Sequence, residues 1–330
     1  MSYVIIRNII LIIIIVLSIS GIILLAFNNK SKFRISTPKF RIYTPQFNDD
    51  SGGVMVLHVL CKKILSSGYE CKIINMNDTP INSVNNTYKQ YYTNKNDTEN
   101  CIVIYPEIIS GNPLNAKKII RWILCDLGKH CDKNIYKTWN KKDIIYFFGT
   151  FNPKITVSKY LFCFEFDKSI KKINNNERTK DCYEIRKAHK FHNNLKFIHP
   201  NDSYEIKNLS LKDTIDVFNK HRYYYCYDPY TFNMVIASLC GCIPIVIKIE
   251  NTTKKDWAKS LYCGQYLIEN KKDSLYGIAY GKEEIEYAIN TNNMVSKEQD
   301  NIIKYGDKTI FNMINDIKKD NLHYVEDYYN

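Results

Sequence analysis

No second cysteine pair and no histidine cluster stands at metal-ligand spacing in this chain, and its one close pair, Cys240-Gly241-Cys242, is too tight for a zinc knuckle. A resident metal is therefore not expected. The sequence also lacks a basic run interleaved with aromatic residues, a helix-turn-helix and any zinc-finger spacing, so nucleic acid is not the expected partner. No short-period repeat is visible, which sets solenoids aside. Eleven cysteines are an odd number in a chain too large to need stapling. Cys61, Cys125, Cys163 and Cys240 sit inside apolar runs and read as reduced core residues.

The formal charge of +12 comes from 46 Lys and Arg against 34 Asp and Glu, and the AT-rich codon bias behind 26 Tyr and abundant Asn and Ile inflates it. A diffuse positive field suits an anionic ligand or a membrane surface. Sequons at Asn77, Asn85, Asn96 and Asn251 are what an Asn-rich chain generates by chance. The 19 residues 9–27 carry no charge and are interrupted only by Ser18, Ser20 and Gly21, enough for a membrane-spanning helix. No small-x-small cleavage site follows, which favours a retained single-pass anchor over a signal peptide. Lys30, Lys32, Arg34, Lys39 and Arg41 outnumber Arg7 and the amino terminus, which puts the large domain on the cytosolic side.

A chain of 330 residues predicts two globular units beyond that segment. Residues 40–44 read as a strand, 48–53 as a glycine loop, and 54–65 as a helix closed by Ser66-Ser67-Gly68. Strands at 71–74 and 101–105 follow around a long polar loop, then a helix at 116–124 with Ile119, Ile120 and Ile123 on one face, and a strand at 144–148. The second half predicts strands at 161–166, 183–185, 197–199, 223–226 and 245–249. Its helices begin at Ser210 and Thr231, then span 283–290 and a long tail at 296–319. Alternation of this kind calls for α/β architecture: two doubly wound Rossmann-like domains facing a cleft, preceded by one transmembrane helix. The boundaries are 1–35 for the anchor and basic linker, 36–155 for the first domain, 156–295 for the second, and 296–330 for a helical tail.

Residues 227–247 carry the most information. Asp228-Pro229 sets a turn, the Thr231 hydroxyl can cap the amides opening the next helix, and a glycine turn at Gly241 leads into a buried strand. Free N–H donors and the positive end of a helix dipole would meet a diphosphate there. An ordinary αβ unit has the same local pattern. Three blocks then stand together. One is Asp50-Ser51-Gly52-Gly53 with its helix. Another runs from Val103 through Glu107, Gly111-Asn112-Pro113 and Asn115 to Arg121-Trp122. The last runs from His199 and Asp202-Ser203 through Phe218-Asn219-Lys220 and 227–247 to Tyr276-Gly277-Ile278-Ala279-Tyr280-Gly281.

Through these blocks, which span most of residues 40–290, the chain resembles GT-B-type glycosyltransferases, in particular a group of bacterial and giant-virus glycosyltransferase-like proteins. The resemblance implies a nucleotide sugar as donor substrate, held by the second domain without a metal or resident cofactor, and a glycan, lipid or protein acceptor on the first. It also implies a virion or host-cell membrane for the anchor. Mapped onto this chain, Arg186 and Lys187 would neutralise the diphosphate, and Gly52, Gly53, Tyr227, Asp228, Thr231 and Phe232 would complete the cradle. His58, Glu107 and Asp50, with Asp49 beside it, are the candidate bases for the acceptor hydroxyl. His58 could equally be packed beside an apolar stripe, Glu107 could hold the Gly111-Asn112 turn, and Arg186-Lys187 could be a solvated strand end. Asn115, Arg121 and Trp122 are read as fixing their own block, and His199 and Asp202 as turn residues. One departure stands out: Ile236 occupies a position where members of the group often carry a carboxylate for the ribose hydroxyls. That opens a second reading, a catalytically degenerate binding or scaffold protein.

Overall fold

The computed structural model describes residues 37–48, 51–77, 87–149, 159–173 and 178–329. The expected membrane helix at 9–27 and the candidates Asp49 and Asp50 lie outside them. Among the described residues no helix is long and apolar enough to cross a membrane.

The first sheet is built from β1 (Lys39–Thr44), β2 (Cys71–Asn75), β3 (Tyr92–Thr93), β4 (Cys101–Pro106), β5 (Lys118–Ile123) and β6 (Ile144–Phe147). Its order is β3-β2-β1-β4-β5-β6 with every neighbour pair parallel, the strand order of a Rossmann sheet. Helix α1 (Gly52–Ser66) returns the chain from β1 to β2, with the Ser51 hydroxyl accepting from Val54 N–H at 3.5 Å. Its buried Leu57, Leu60, Cys61 and Ile64 pack on Phe40, Ile42 and Ile73.

The predicted helix at 116–124 is instead the strand β5. Every residue of β5 after Lys118 is buried, because β4 and β6 flank it and both faces are covered. Ile120 and Trp122 join the core beneath α1, while Ile119 and Ile123 face two smaller clusters on the other side. A strand buried on both faces loses its alternation and imitates a buried helix.

The second sheet comprises β7 (Cys182–Glu184), β8 (Tyr204–Glu205), β9 (Tyr223–Cys226), β10 (Ile243–Val246) and β11 (Ala279–Tyr280). Its order is β11-β10-β9-β7-β8, again all parallel. Counted within the sheet this is 2-1-3-4-5, the other common doubly wound order, whose strand order reverses between β7 and β9. Helices α2 (Leu211–Lys220) and α3 (Asn233–Leu239) connect its central strands, followed by α4 (Lys254–Lys259), α5 (Gly264–Glu269), α6 (Ile285–Thr291) and α7 (Val295–Lys319). The Ser210 hydroxyl caps α2 as its sequence predicts, accepting from Asp213 N–H at 3.1 Å.

Neither 161–166 nor 197–199 is a strand. Tyr160 makes one isolated bridge to Phe147, after which Phe162 exchanges two hydrogen bonds with the Thr309 hydroxyl on α7. The alternation there is real but serves two cores: Leu161 and Cys163 enter the first sheet's core, Phe162 the second's. Helix α7 makes the same crossing, with Ile302 in the second core and Ile310, Met313 and Ile314 in the first. Each such side chain contributes roughly 1.5–3 kcal/mol when fully buried. Residues 39–330 accordingly form one compact unit. All eleven cysteines are free thiols, nine of them buried, with Cys125 and Cys131 half-buried.

Candidate functional site

In open parallel sheets, ligands gather beyond the carboxyl ends of the strands where the strand order reverses. The first sheet reverses between β1 and β4. There Gly52 and Gly53 are exposed in the first turn of α1, and a Cβ added to Gly52 would meet nothing within 4 Å. At Gly53 an added Cβ would lie 3.8 Å from Leu124 Cδ1. Leu124 in turn donates its N–H to Glu107 Oε2 at 3.0 Å, so Glu107 ties the end of β4 to the end of β5. Glu107 is buried, and burial pushes its carboxyl pKa up.

His58 lies deeper in α1 and is fully buried. Its Nδ1 is 2.8 Å from the Val54 carbonyl, which can only accept, so Nδ1 carries the proton and Nε2, 2.7 Å from the Tyr92 hydroxyl, is the acceptor. Phe47 and Tyr88 wall the ring at 5.2 and 5.1 Å. Burial lowers its pKa to about 4. The structure therefore places His58 as a satisfied core histidine.

Arg121, at the centre of the second sequence block, is also fully buried. It donates to Asp143 at 2.8 Å, to the Gly111 carbonyl at 2.6 Å and to the Ile109 carbonyl at 3.3 Å. Tyr105 and Trp139 lie 5.0 and 5.1 Å from its guanidinium carbon. Burial lowers the Arg121 pKa and raises that of Asp143, as desolvation does to both members of a buried pair. This block organises itself around the arginine, as its sequence suggests. A cavity of about 370 Å³ opens beside it, between the 111–117 loop and the turn at 138–143.

The second sheet's reversal point, between β7 and β9, gathers more of the predicted residues. Arg186 lies two residues beyond the end of β7, is exposed, and holds φ +42° in the left-handed region. A non-glycine residue there stores about 1–3 kcal/mol of strain. Its Nη1 donates to the Thr231 hydroxyl at 3.2 Å. Thr231 does not cap α3 in the expected way: the residue preceding the helix is Phe232, and the Thr231 hydroxyl instead accepts from Asn233 N–H at 3.3 Å. The reason lies one step upstream, where the Asp228 carbonyl takes Thr231 N–H at 3.3 Å and Asp228 Oδ1 takes Tyr230 N–H at 3.3 Å, extending the turn by a residue. Lys187 is exposed before the 3₁₀ turn Ala188–Lys190.

Tyr227 is buried under this segment and anchors it. Its hydroxyl accepts from Ile198 N–H at 2.8 Å and pairs with His199 Nδ1 at 2.8 Å, while its carbonyl accepts from His192 Nε2 at 3.1 Å. Phe232 packs edge-on against Phe164 and Tyr262. Between Ile185 and Asn201 the chain has no acidic residue but carries Arg186, Lys187, Lys190 and Lys196. The result is an acid-free basic segment pinned across the carboxyl edge of the sheet.

Sequence reasoning passed over Glu184 and Asn233. Both Glu184 oxygens lie 3.1 Å from Asn233 Nδ2, and Oε2 also accepts from the Tyr224 hydroxyl at 2.6 Å. A signal was available: Cys182 and Glu184, two residues apart on a short strand, must share a face, and Cys182 is a core residue. Ile236 is 5% exposed in the second core; the carboxylate that reaches the start of α3 is Glu184. Among the described residues no group of three or more His, Cys, Asp or Glu is arranged to hold a metal. Compared with known proteins, the sequence matches no family model and no curated protein.

Proposed function

We propose that the chain is a membrane-anchored glycosyltransferase of the GT-B type. It takes a sugar from a nucleotide-sugar donor at the carboxyl edge of the second sheet and passes it to a hydroxyl of a glycan, lipid or protein. The observation that carries this reading is Arg186: an exposed cation on strained backbone, bonded to Thr231 at a strand-order reversal, within an acid-free basic segment. Charge builds on the diphosphate as the sugar leaves, and fixed cationic donors there are worth about 3–4 kcal/mol by analogy with oxyanion donors. On the first sheet Glu107, whose burial strengthens it as a base, is the residue to take the acceptor proton. The anchor is residues 9–27, with the large domain in the cytosol.

A second reading, a binding protein without turnover, is favoured by two observations: Ile236 is apolar and buried, and His58 is locked in the core. One experiment separates them. The full chain in detergent is titrated calorimetrically with UDP, ADP, GDP, CDP and their sugar conjugates, alongside Arg186→Ala, and any ligand found is tested for hydrolysis and transfer. Saturable binding by at least one compound, weakened about tenfold or more by Arg186→Ala, is the expected result. Absence of saturable binding refutes the donor site, and binding without hydrolysis or transfer favours the second reading.

A further inference from the structure

The chain between β7 and β8 covers one face of the second sheet without an α-helix: Ala188 and Leu195 pack on Tyr225, Tyr227 and Ile245, and the segment's regular structure is the 3₁₀ turn Ala188–Lys190. Its far end is fixed at three points. The Tyr227 hydroxyl accepts from Ile198 N–H at 2.8 Å, the His199 ring stacks on Tyr183 at 3.7 Å, and the Lys282 ammonium donates to the Ile198 carbonyl at 3.1 Å. On this fixed backbone Phe197 and Ile198 remain 58% and 38% exposed. Single apolar residues at a surface are ordinary. Here two stand in succession, in the acid-free stretch that carries exposed Lys190 and Lys196, with exposed Lys282 bonded alongside. Two carboxylates at its margins are engaged, Glu205 with the Tyr183 hydroxyl and Glu283 with Lys248. The result is an apolar tip with a cationic rim.

We infer that residues 190–198, together with Lys282, are a docking surface for an anionic lipid bilayer. Phe197 and Ile198 enter the boundary between headgroups and acyl chains, and Lys190, Lys196 and Lys282 meet the anionic headgroups. Charge complementarity selects this occupant: a small apolar tip ringed by lysines, with no acid within its stretch, suits a diffuse negative surface. Two apolar side chains and three lysines are too few to hold a free protein on a membrane, but a tether makes the contact intramolecular. The inference therefore rests on the membrane-anchored reading above. The apolar segment ends at Phe27 and β1 begins at Lys39, 12 positions later, a reach of at most about 40 Å. It adds which face the folded body turns to the bilayer, and it leaves Arg186 and Lys187 to the donor.

The test reconstitutes the full chain carrying Phe197→Trp into vesicles of phosphatidylcholine alone or mixed with phosphatidylserine, with and without bromine on the acyl chains. Native Trp122, Trp139 and Trp257 are buried, and their background is measured on the wild-type protein. Quenching of the introduced indole gives the ratio of docked to undocked forms. Each lysine contributes about fivefold, so that ratio is expected to rise tenfold or more from the neutral to the anionic bilayer. Adding Lys190→Glu and Lys196→Glu is expected to reduce the rise to within about twofold, and raised salt to weaken it. In the wild-type protein, amide exchange of residues 190–198 should slow on the anionic bilayer, a check that needs no variant. Equal quenching in the two bilayers, weak or strong, overturns the inference and leaves the anchor standing. An indole that responds to protein concentration and not to lipid makes the patch an interface between copies, and also overturns it. If the protein fails to float with neutral vesicles after a carbonate wash, the anchor falls and takes this inference with it.

Discussion

The carboxyl ends of the two sheets answer the same topological rule in opposite ways. At the first, the polar groups are drawn inward and satisfied: His58 between Val54 and Tyr92, Glu107 on Leu124, and, in the block between β4 and β6, Arg121 on Asp143. At the second, a basic segment is exposed, its one arginine is held on unfavourable backbone, and a buried carboxylate has, among the described residues, neutral partners only. The first region uses His58 and Arg121 to hold itself together, while Glu107 both ties β4 to β5 and is the proposed base. The second keeps its cations at the surface, which is why we propose the donor site there.

The largest expected effect tests the first half of that contrast. Arg121→Ala removes the cation from a fully buried pair, leaves Asp143 desolvated and takes from the Gly111 carbonyl its side-chain donor, while the Ile109 carbonyl keeps the Trp139 indole N–H. Breaking such a pair costs roughly 3–5 kcal/mol. Chemical denaturation should show that loss, while nucleoside diphosphate affinity of the folded fraction stays unchanged. A variant of near-normal stability would mean that the arginine is held for the cavity beside it.

A slightly smaller effect concerns pH. The His58 pKa falls from 6.5 in the unfolded chain to about 4 in the folded one, so the folded state binds fewer protons in that interval. Its contribution is fully present above pH 6.5 and is lost as pH falls toward 4, amounting to roughly 3 kcal/mol. Buried Glu107 and Asp143, whose pKa values are raised, work in the opposite sense. The difference between wild type and His58→Gln therefore isolates the histidine: the variant should lose less stability between pH 6.5 and 4. Parallel pH profiles would put His58 in contact with solvent and return it to the candidate bases.

Much of this contrast could be read from residues alone, and each failure has a physical cause. Edge and amphipathic elements were legible: Ser210 caps α2, α7 covers 295–319 where 296–319 was expected, and β9 falls on 223–226. β5 was not, because, buried on both faces, it carries no periodicity to distinguish strand from helix. Segment 161–166 failed for the converse reason, since its true alternation feeds two cores and no sheet. At the site, charge and turn residues exposed Arg186 and Asp228, which are local signals. Glu184 and Asn233 meet across 49 positions, and only the folded chain brings the end of β7 to the start of α3.

The smallest expected effect is the most discriminating. Arg186→Ala and Arg186→Gly both delete the guanidinium and its bond to Thr231, so both should lose diphosphate affinity to the same extent. They differ in backbone alone. Alanine keeps the penalty of φ +42°, about 1–2 kcal/mol for an L-residue, whereas glycine escapes it and gives back roughly 0.5–1 kcal/mol in unfolded-chain entropy. The glycine variant is thus expected to be the more stable by about 0.5–1 kcal/mol, a shift that thermal midpoints can resolve. Such an ordering means that the protein gives up stability to hold a cation at this edge, as ligand sites do and structural strand ends do not. If alanine proves the more stable, the left-handed turn belongs to Arg186 for reasons of packing, and the two sheet ends are more alike than their exposed charges suggest.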